Sequence, residues 1–267
     1  MTARGDEPAA RSGLTRFATG ALVVAEMEAR KIRHASSELW IRAIQPALWL
    51  LVFGAALSSV RGIAPGEFTY TQFITPGILS QSVLFIAIFY GVTLVWERDL
   101  GLLSKLLSTP APRSSIIVGK ALAASIRGIF QGILVLALSL IIGSAVLVSP
   151  LNVLGVFGVV ILLAMCFSSL SMVIASIART RDRMMGLSQV IIFPLFFASN
   201  AIYPTQIMPS WLQLIATVNP LSYGVQAVRA LLLTGNFRML PTDILVLSAY
   251  TGLMLFLASI SLRRIIS

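Results

Sequence analysis

The sequence predicts an all-α polytopic membrane protein. It has six transmembrane helices, an amphipathic interface helix before them, a short amphipathic helix between the second and third, and a re-entrant helix pair between the fifth and sixth. Three observations predict this. Only 11% of the residues are charged, against about 25% in a soluble domain, and mean hydropathy is +0.90. Six apolar stretches reach the ~20 residues that a helix needs to cross a bilayer. Of the 20 Lys and Arg residues, seventeen fall on one side of the resulting topology and three on the other.

The N-terminal segment, residues 1–38, opens with "MTARGDEPAARSG", which is polar and has no apolar core followed by a cleavage site, so no cleaved leader is expected. Leu14–Ser37 then reads as an amphipathic helix: Leu14, Phe17, Ala21, Val24 and Ile32 share one side, and Glu26 and Arg30 form an i,i+4 pair opposite. Glu28 and Lys31 border the apolar side. The remainder, residues 39–267, holds the spans: Leu39–Val60, Gln72–Trp96, Ile126–Val148, Leu151–Ile177, Met185–Tyr203 and Ile244–Leu262. "SPL" between the third and fourth predicts a hairpin. The third helix is expected to start near Ser114, as a stalk carrying Lys120 towards the cytoplasm, with Arg127 snorkelling at the interface. The charge asymmetry puts both termini in the cytoplasm of a multi-pass protein of the cell membrane.

Between spans two and three lies "WERDLGLLSKLLSTPAPRSS". On a helix at about 100° per residue, Leu100, Leu102, Leu103, Leu106 and Leu107 occupy one half of the circumference, and Gly101, Ser104, Lys105 and Ser108 the other. Pro110 and Pro112 end it after about three turns. Two readings fit: a helix whose leucines rest among lipid headgroups, or a lever that docks on a cytoplasmic partner. Between spans five and six, Ser210–Val218 and Leu221–Leu233 read as two helices too short to cross a core about 30 Å thick, the second opened by Asn219 as N-cap and Pro220 at its first position.

The motifs carry a resemblance. Residues 76–132 contain "ER-x-x-G" (Glu97, Arg98, Gly101), then "LL-x-TP" (Leu106, Leu107, Thr109, Pro110), a basic Arg113, and "GK" (Gly119, Lys120). Together with "MP-x-WLQ-x-IA-x-x-NPLSY" from Met208 to Tyr223, they resemble the permease subunits of type-two ATP-binding-cassette exporters, the daunorubicin-resistance and nodulation-factor-exporter kind. The resemblance implies a coupling helix over residues 98–109 seated on a separate ATPase, with Glu97, Arg98, Gly101, Leu103, Leu106, Leu107, Thr109, Pro110 and Arg113 at the junction. It implies re-entrant helices over 205–235 capping the outer exit, with Trp211, Asn219, Pro220, Tyr223 and Arg229 as gate residues. The substrate path is expected along spans two and five, through Gln81, Phe85, Phe89, Phe193, Phe197 and Asn200.

No "GxxxxGK[ST]" loop, catalytic triad or paired carboxylates occur, and one cysteine (Cys166) with one histidine (His34) leaves no metal-ligand set. The chain is therefore expected not to be an enzyme and to carry no cofactor; ATP and Mg2+ belong on two copies of a partner ATPase. The other expected partners are a second permease copy or paralogue and membrane lipids, with no nucleic acid. The expected function is outward transport of a drug, lipid or glycolipid. A polysaccharide or envelope-lipid exporter of the same fold, an ATP-independent channel or secondary carrier, and a membrane-anchored assembly factor are the alternatives.

Overall fold

The computed structural model describes residues 13–34, 36–57, 68–109, 112–144, 149–178 and 180–266. Every element among them is helical. In chain order these are α1 (Gly13–His34), α2 (Ser36–Leu48), which runs through a π-helical turn (Trp49–Phe53) into α3 (Gly54–Leu57), α4 (Tyr70–Asp99), α5 (Leu102–Leu107), α6 (Arg113–Ile141), α7 (Pro150–Ile177), α8 (Arg181–Phe197), α9 (Ser210–Val218), α10 (Pro220–Arg229) with a π-turn over Ala230–Thr234, and α11 (Leu240–Ile266).

Among the described residues, four helices are long and apolar enough to cross a membrane by themselves: α4, α6, α7 and α11. The other two expected spans are shorter. The first is divided at Pro46, whose ring removes a backbone donor, and the helix loosens into the π-turn three residues on; its end beyond Leu57 lies outside the described residues. The fifth is α8, 17 residues long, stopping at Phe197 rather than Tyr203. Side chains take the carbonyls there: Ser199 Oγ donates to Phe196 O (2.6 Å), and Asn219 Nδ2 donates to Leu195 O (2.6 Å) and Ala198 O (3.0 Å).

α6 begins at Arg113, one residue from the expected start, but ends at Ile141, not Val148. Gly143 takes φ +80°, and the Ser144 amide donates back to Ser139 O (2.9 Å), a left-handed helix stop. Residues 145–148 of the connection to α7, where a hairpin is expected, lie outside the described residues. α9 and α10 match expectation: Asn219 Oδ1 accepts from Leu221 N (3.0 Å) and Pro220 occupies the first turn.

α4 is the central helix. In its most apolar window 83% of the residues are buried, against 17% for the peripheral α11. Ile74, Leu79, Val83, Leu84 and Ile88 pack with Val160, Leu163 and Phe167 of α7 and with Val225 and Val228 of α10. A second core at the other end of α4 joins Leu94 and Val95 to Ile117 and Ala121 of α6, Met172 and Ala175 of α7, and Met184 of α8. Small residues permit these approaches: a Cβ on Gly91 would lie 2.0 Å from Ser171 Oγ, and Ser171 Oγ donates to Ile88 O across the α4–α7 contact.

Candidate functional site

The α4–α6 connection is built from a turn, a very short helix and a buried ion cluster behind them. α4 runs to Asp99, and Gly101 reverses the chain with φ +70°, a conformation that costs a residue with a Cβ about 1 kcal/mol or more. α5 has six residues, half the expected length. At its end Ser108 Oγ donates to Lys105 O (2.8 Å) and Thr109 Oγ1 to Leu106 O (2.6 Å), satisfying carbonyls that the helix leaves open. Pro110 and the side chains of Leu107 and Arg113 lie outside the described residues.

The leucine face divides in a way the helical wheel does not show. Leu103 is 1% exposed, packed with Leu94, Val95, Ile117 and Met184, and Leu106 is half-buried. Leu100 and Leu102 are exposed, as are Ser104, Lys105, Ser108 and Thr109. Leu103, expected on the docking face, is an anchor to the bundle; Leu100, Leu102 and Lys105 form the outward surface. Beside it Arg98 pairs with Asp99 (3.0 Å), Asp99 pairs with Arg181 of α8 (3.5 Å), and the Arg181 guanidinium lies 4.0 Å over the Trp96 ring.

Behind the turn, Glu97 accepts from two lysines: Lys120 Nζ at Oε2 and Lys31 Nζ at Oε1 (2.9 Å). Glu28 accepts from the same two, Lys120 at 3.1 Å and Lys31 at 3.0 Å. The side chains of Glu28 and Lys120 are 0% and 1% exposed, that of Glu97 5%. Two carboxylates and two ammoniums neutralise one another, which is what makes such burial tolerable. Burial pushes the Glu28 carboxyl up, but Lys120 and Lys31 outweigh it and hold it at about 2. Lys31 is depressed by burial and raised overall by its bonds to Glu97 and Glu28. The cluster ties α1, α4 and α6 together at the base of the connection.

Lys120 therefore does not project from a stalk: it points inward beneath α1. Gly119 explains how α1 comes so close, since a Cβ there would sit 2.6 Å from Ala21 O and 2.7 Å from Val24 Cβ. Ala21, Val24, Ala25 and Glu28 form the buried side of α1, Leu22 and Val23 are exposed, and the expected Glu26–Arg30 pair forms at 2.7 Å. Arg127 stacks 4.8 Å over the Tyr90 ring of α4. Glu28 and Lys31 are the site residues that sequence reasoning missed. Their placement at the border of an apolar face was the available signal.

The expected path residues separate into two groups. Gln81, Phe85 and Phe89 come together with Arg42, Pro46 and Gln131 around a pocket of about 40 Å³ between α2, α4 and α6. Phe193 and Phe197 stack on each other at 6.2 Å on the exposed side of α8 (51% and 42% exposed), away from that pocket. Asn200 is buried (3%), and its carbonyl accepts from Arg229 (2.9 Å). Beside α8, Val190, Pro194 and Leu195 face Leu214, Ile215 and Val218 of α9 across an apolar groove of about 560 Å³.

At the opposite end from the ion cluster, the residues expected at the outer gate act as stitches. Arg229 donates to Asn200 O and to Phe73 O (3.4 Å) and lies 4.1 Å over the Phe73 ring, joining α10 to the start of α4. Asn219 ties α10 to the end of α8. Tyr223 donates to Thr217 O (2.6 Å), closing the α9–α10 corner, while Trp211 is 62% exposed on α9.

The sequence is similar to those of known proteins. The family model described as ABC-2 type transporter matches residues 19–233, from within α1 to the π-turn after α10. Transport permease ycf38 of Porphyra purpurea is 30% identical over 217 residues, covering 78% of this chain and 74% of the relative. The daunorubicin resistance ABC transporter permease protein DrrB1 of Streptomyces coeruleorubidus is 26% identical over 200 residues (75% and 70%). The inner membrane transport permease YadH of Escherichia coli K12 is 27% identical over 212 residues (73% and 77%). A helical membrane bundle with a braced α4–α6 turn and a family match over well over half its length leaves one assignment: this chain belongs to the ABC-2 type transporter family and is a transport permease, not an enzyme.

Proposed function

We propose that the chain is the membrane-spanning subunit of an ATP-binding-cassette exporter that moves an amphipathic or hydrophobic cargo outward, and that the energy comes from a separate cytoplasmic ATPase seated on the α4–α6 connection. The connection carries the proposal. Its tip presents Leu100, Leu102 and Lys105 to a partner, while Leu103 and the Glu28–Lys31–Glu97–Lys120 cluster fix the same segment to three helices. A push on the tip is thereby delivered to α1, α4 and α6 together, which suits a bistable bundle driven from outside. The excess of basic residues around α1, α5 and the start of α8 supports a cytoplasmic location for this end.

In this reading two permease copies, or one copy and a paralogue, form the pore domain with two ATPase subunits that bind ATP and Mg2+. Daunorubicin resistance in the name of the Streptomyces relative makes drugs one cargo class, with lipids and glycolipids the other. Co-purification separates docking from folding. Leu102→Asp with Lys105→Glu is expected to release the ATPase at least ten-fold while the permease keeps its elution profile. Leu103→Asp is expected to destabilise the permease itself, because it buries a charge in the second core. An ATPase retained in full on the Leu102→Asp/Lys105→Glu protein would overturn the docking assignment.

A further inference from the structure

The pocket between α2, α4 and α6 sets polar side chains, Gln81, Ser82 and Gln131, beside an apolar wall of Phe85 and Phe89, and one of them is an amide held in a fixed sense. Pro46 has no N–H, so the carbonyl four residues earlier, Arg42 O, loses its helical donor. Gln131 of α6 supplies the replacement: its Nε2 donates to Arg42 O at 3.4 Å. That contact decides which way the amide faces, since the reverse would set two oxygens against each other. Gln131 is 1% exposed, and its Oε1 has no hydrogen-bond partner among the described residues. A buried acceptor without a donor is destabilising, because it has given up its water without replacement. Its surroundings are the Phe85 and Phe89 rings, Gln81 and Ser82, with the Arg42 guanidinium 5.4 Å over the Phe89 ring. Gln45, which also lines the pocket, is exposed.

We propose that this pocket is the head-group site for the cargo, and that the cargo is a neutral, hydroxyl-bearing amphiphile whose O–H donates to Gln131 Oε1 while its apolar body lies against Phe85 and Phe89. The pocket, at about 40 Å³, admits a hydroxyl-sized group and not a bulky head. A donor is required because the orphaned atom accepts. An ammonium donor is disfavoured because no carboxylate among the described residues lines the pocket to neutralise it, which leaves a hydroxyl. The assignment of this amphiphile as cargo rests on the exporter reading; its binding does not.

The test uses the full permease–ATPase complex in phosphatidylcholine nanodiscs and two photoreactive probes: a long-chain fatty alcohol carrying a mid-chain diazirine, and its methyl ether. The alcohol is expected to label segments 76–98 and 113–141 about five-fold more than the ether, the ratio that one neutral hydrogen bond supports. Gln131→Leu is expected to abolish the preference. Pro46→Ala, which restores the helical donor to Arg42 O and unpins the amide, is expected to reduce it while leaving the Gln131 side chain and both phenylalanine rings in place, and it serves as the test should Gln131→Leu fail to assemble. Equal labelling by both probes, the result if a water simply occupies the acceptor, overturns the proposal, as does a preference that survives Gln131→Leu. Alcohol-selective labelling with no alcohol-dependent change in ATP turnover leaves the binding site standing and removes its role as the cargo site. ATP-driven transport with equal labelling does the reverse.

Discussion

Lys120 is the residue on which the α4–α6 base turns. It is enclosed, charged, and shared by two carboxylates that come from segments 92 and 23 positions away. Removing one partner from such a set is worse than removing a balanced pair, because the remaining charge stays buried. Lys120→Leu is expected to cost about 3–5 kcal/mol, and adding Glu28→Gln to recover part of it, since Glu97 keeps Lys31. Thermal denaturation of the detergent-solubilised single and double variants checks this, and a double variant no more stable than the single would contradict it. The two motif glycines nearby do different work. Gly119→Ala drives a methyl into the α1 backbone and is expected to detach α1, at about 1–3 kcal/mol. Gly101→Ala meets no neighbour within 4 Å and pays only for its positive φ, about 1 kcal/mol. Spin-label distances between α1 and α6 should lengthen in the first variant and stay constant in the second.

At the scale of elements, α8, α9 and α10 depend on one side chain. Asn219 donates to two carbonyls at the end of α8 and accepts the first amide of α10. Asn219→Ala is expected to lower stability by about 1–2 kcal/mol and to raise hydrogen exchange over 195–203, whereas Asn219→Asp restores the cap but not the donors. Exchange unchanged over that segment in the alanine variant would contradict the assignment. The Asn219–Pro220 start of α10 was legible in the sequence because capping is a local code. The stop of α6 at Gly143 was not: the apolar run continues to Val148, and hydropathy does not register one left-handed residue. Likewise the wheel put all five leucines of 100–107 on one face, and could not say that Leu103 would be taken by the bundle and Leu102 left outside.

For the whole molecule, helical class and membrane length were legible because composition and period suffice for them. The partners of Lys120 were not, since Glu28 lies on another element and only the fold brings it near. The same holds for the path residues: Phe85 with Phe89, and Phe193 with Phe197, share spacing and type, but the bundle turns the first pair towards an internal pocket and the second outward. In the two-copy assembly proposed above, the outward pair and the apolar groove beside α9 supply the surface at the seam. Phe193→Cys is therefore expected to form cross-linked permease dimers in native vesicles with a short bifunctional maleimide, and a cysteine at Leu253 on α11 to form none. Monomers from both would remove α8 from the seam.

The bond from Glu97 to Lys120 closes the connection into a ring, pinned where α4 leaves and α6 returns. A hairpin pinned at its base cannot absorb a load by spreading its arms. Whatever displaces the tip must tilt both helices as one rigid strut, and α1, riveted to the same point through Glu28 and Lys31, tilts with them.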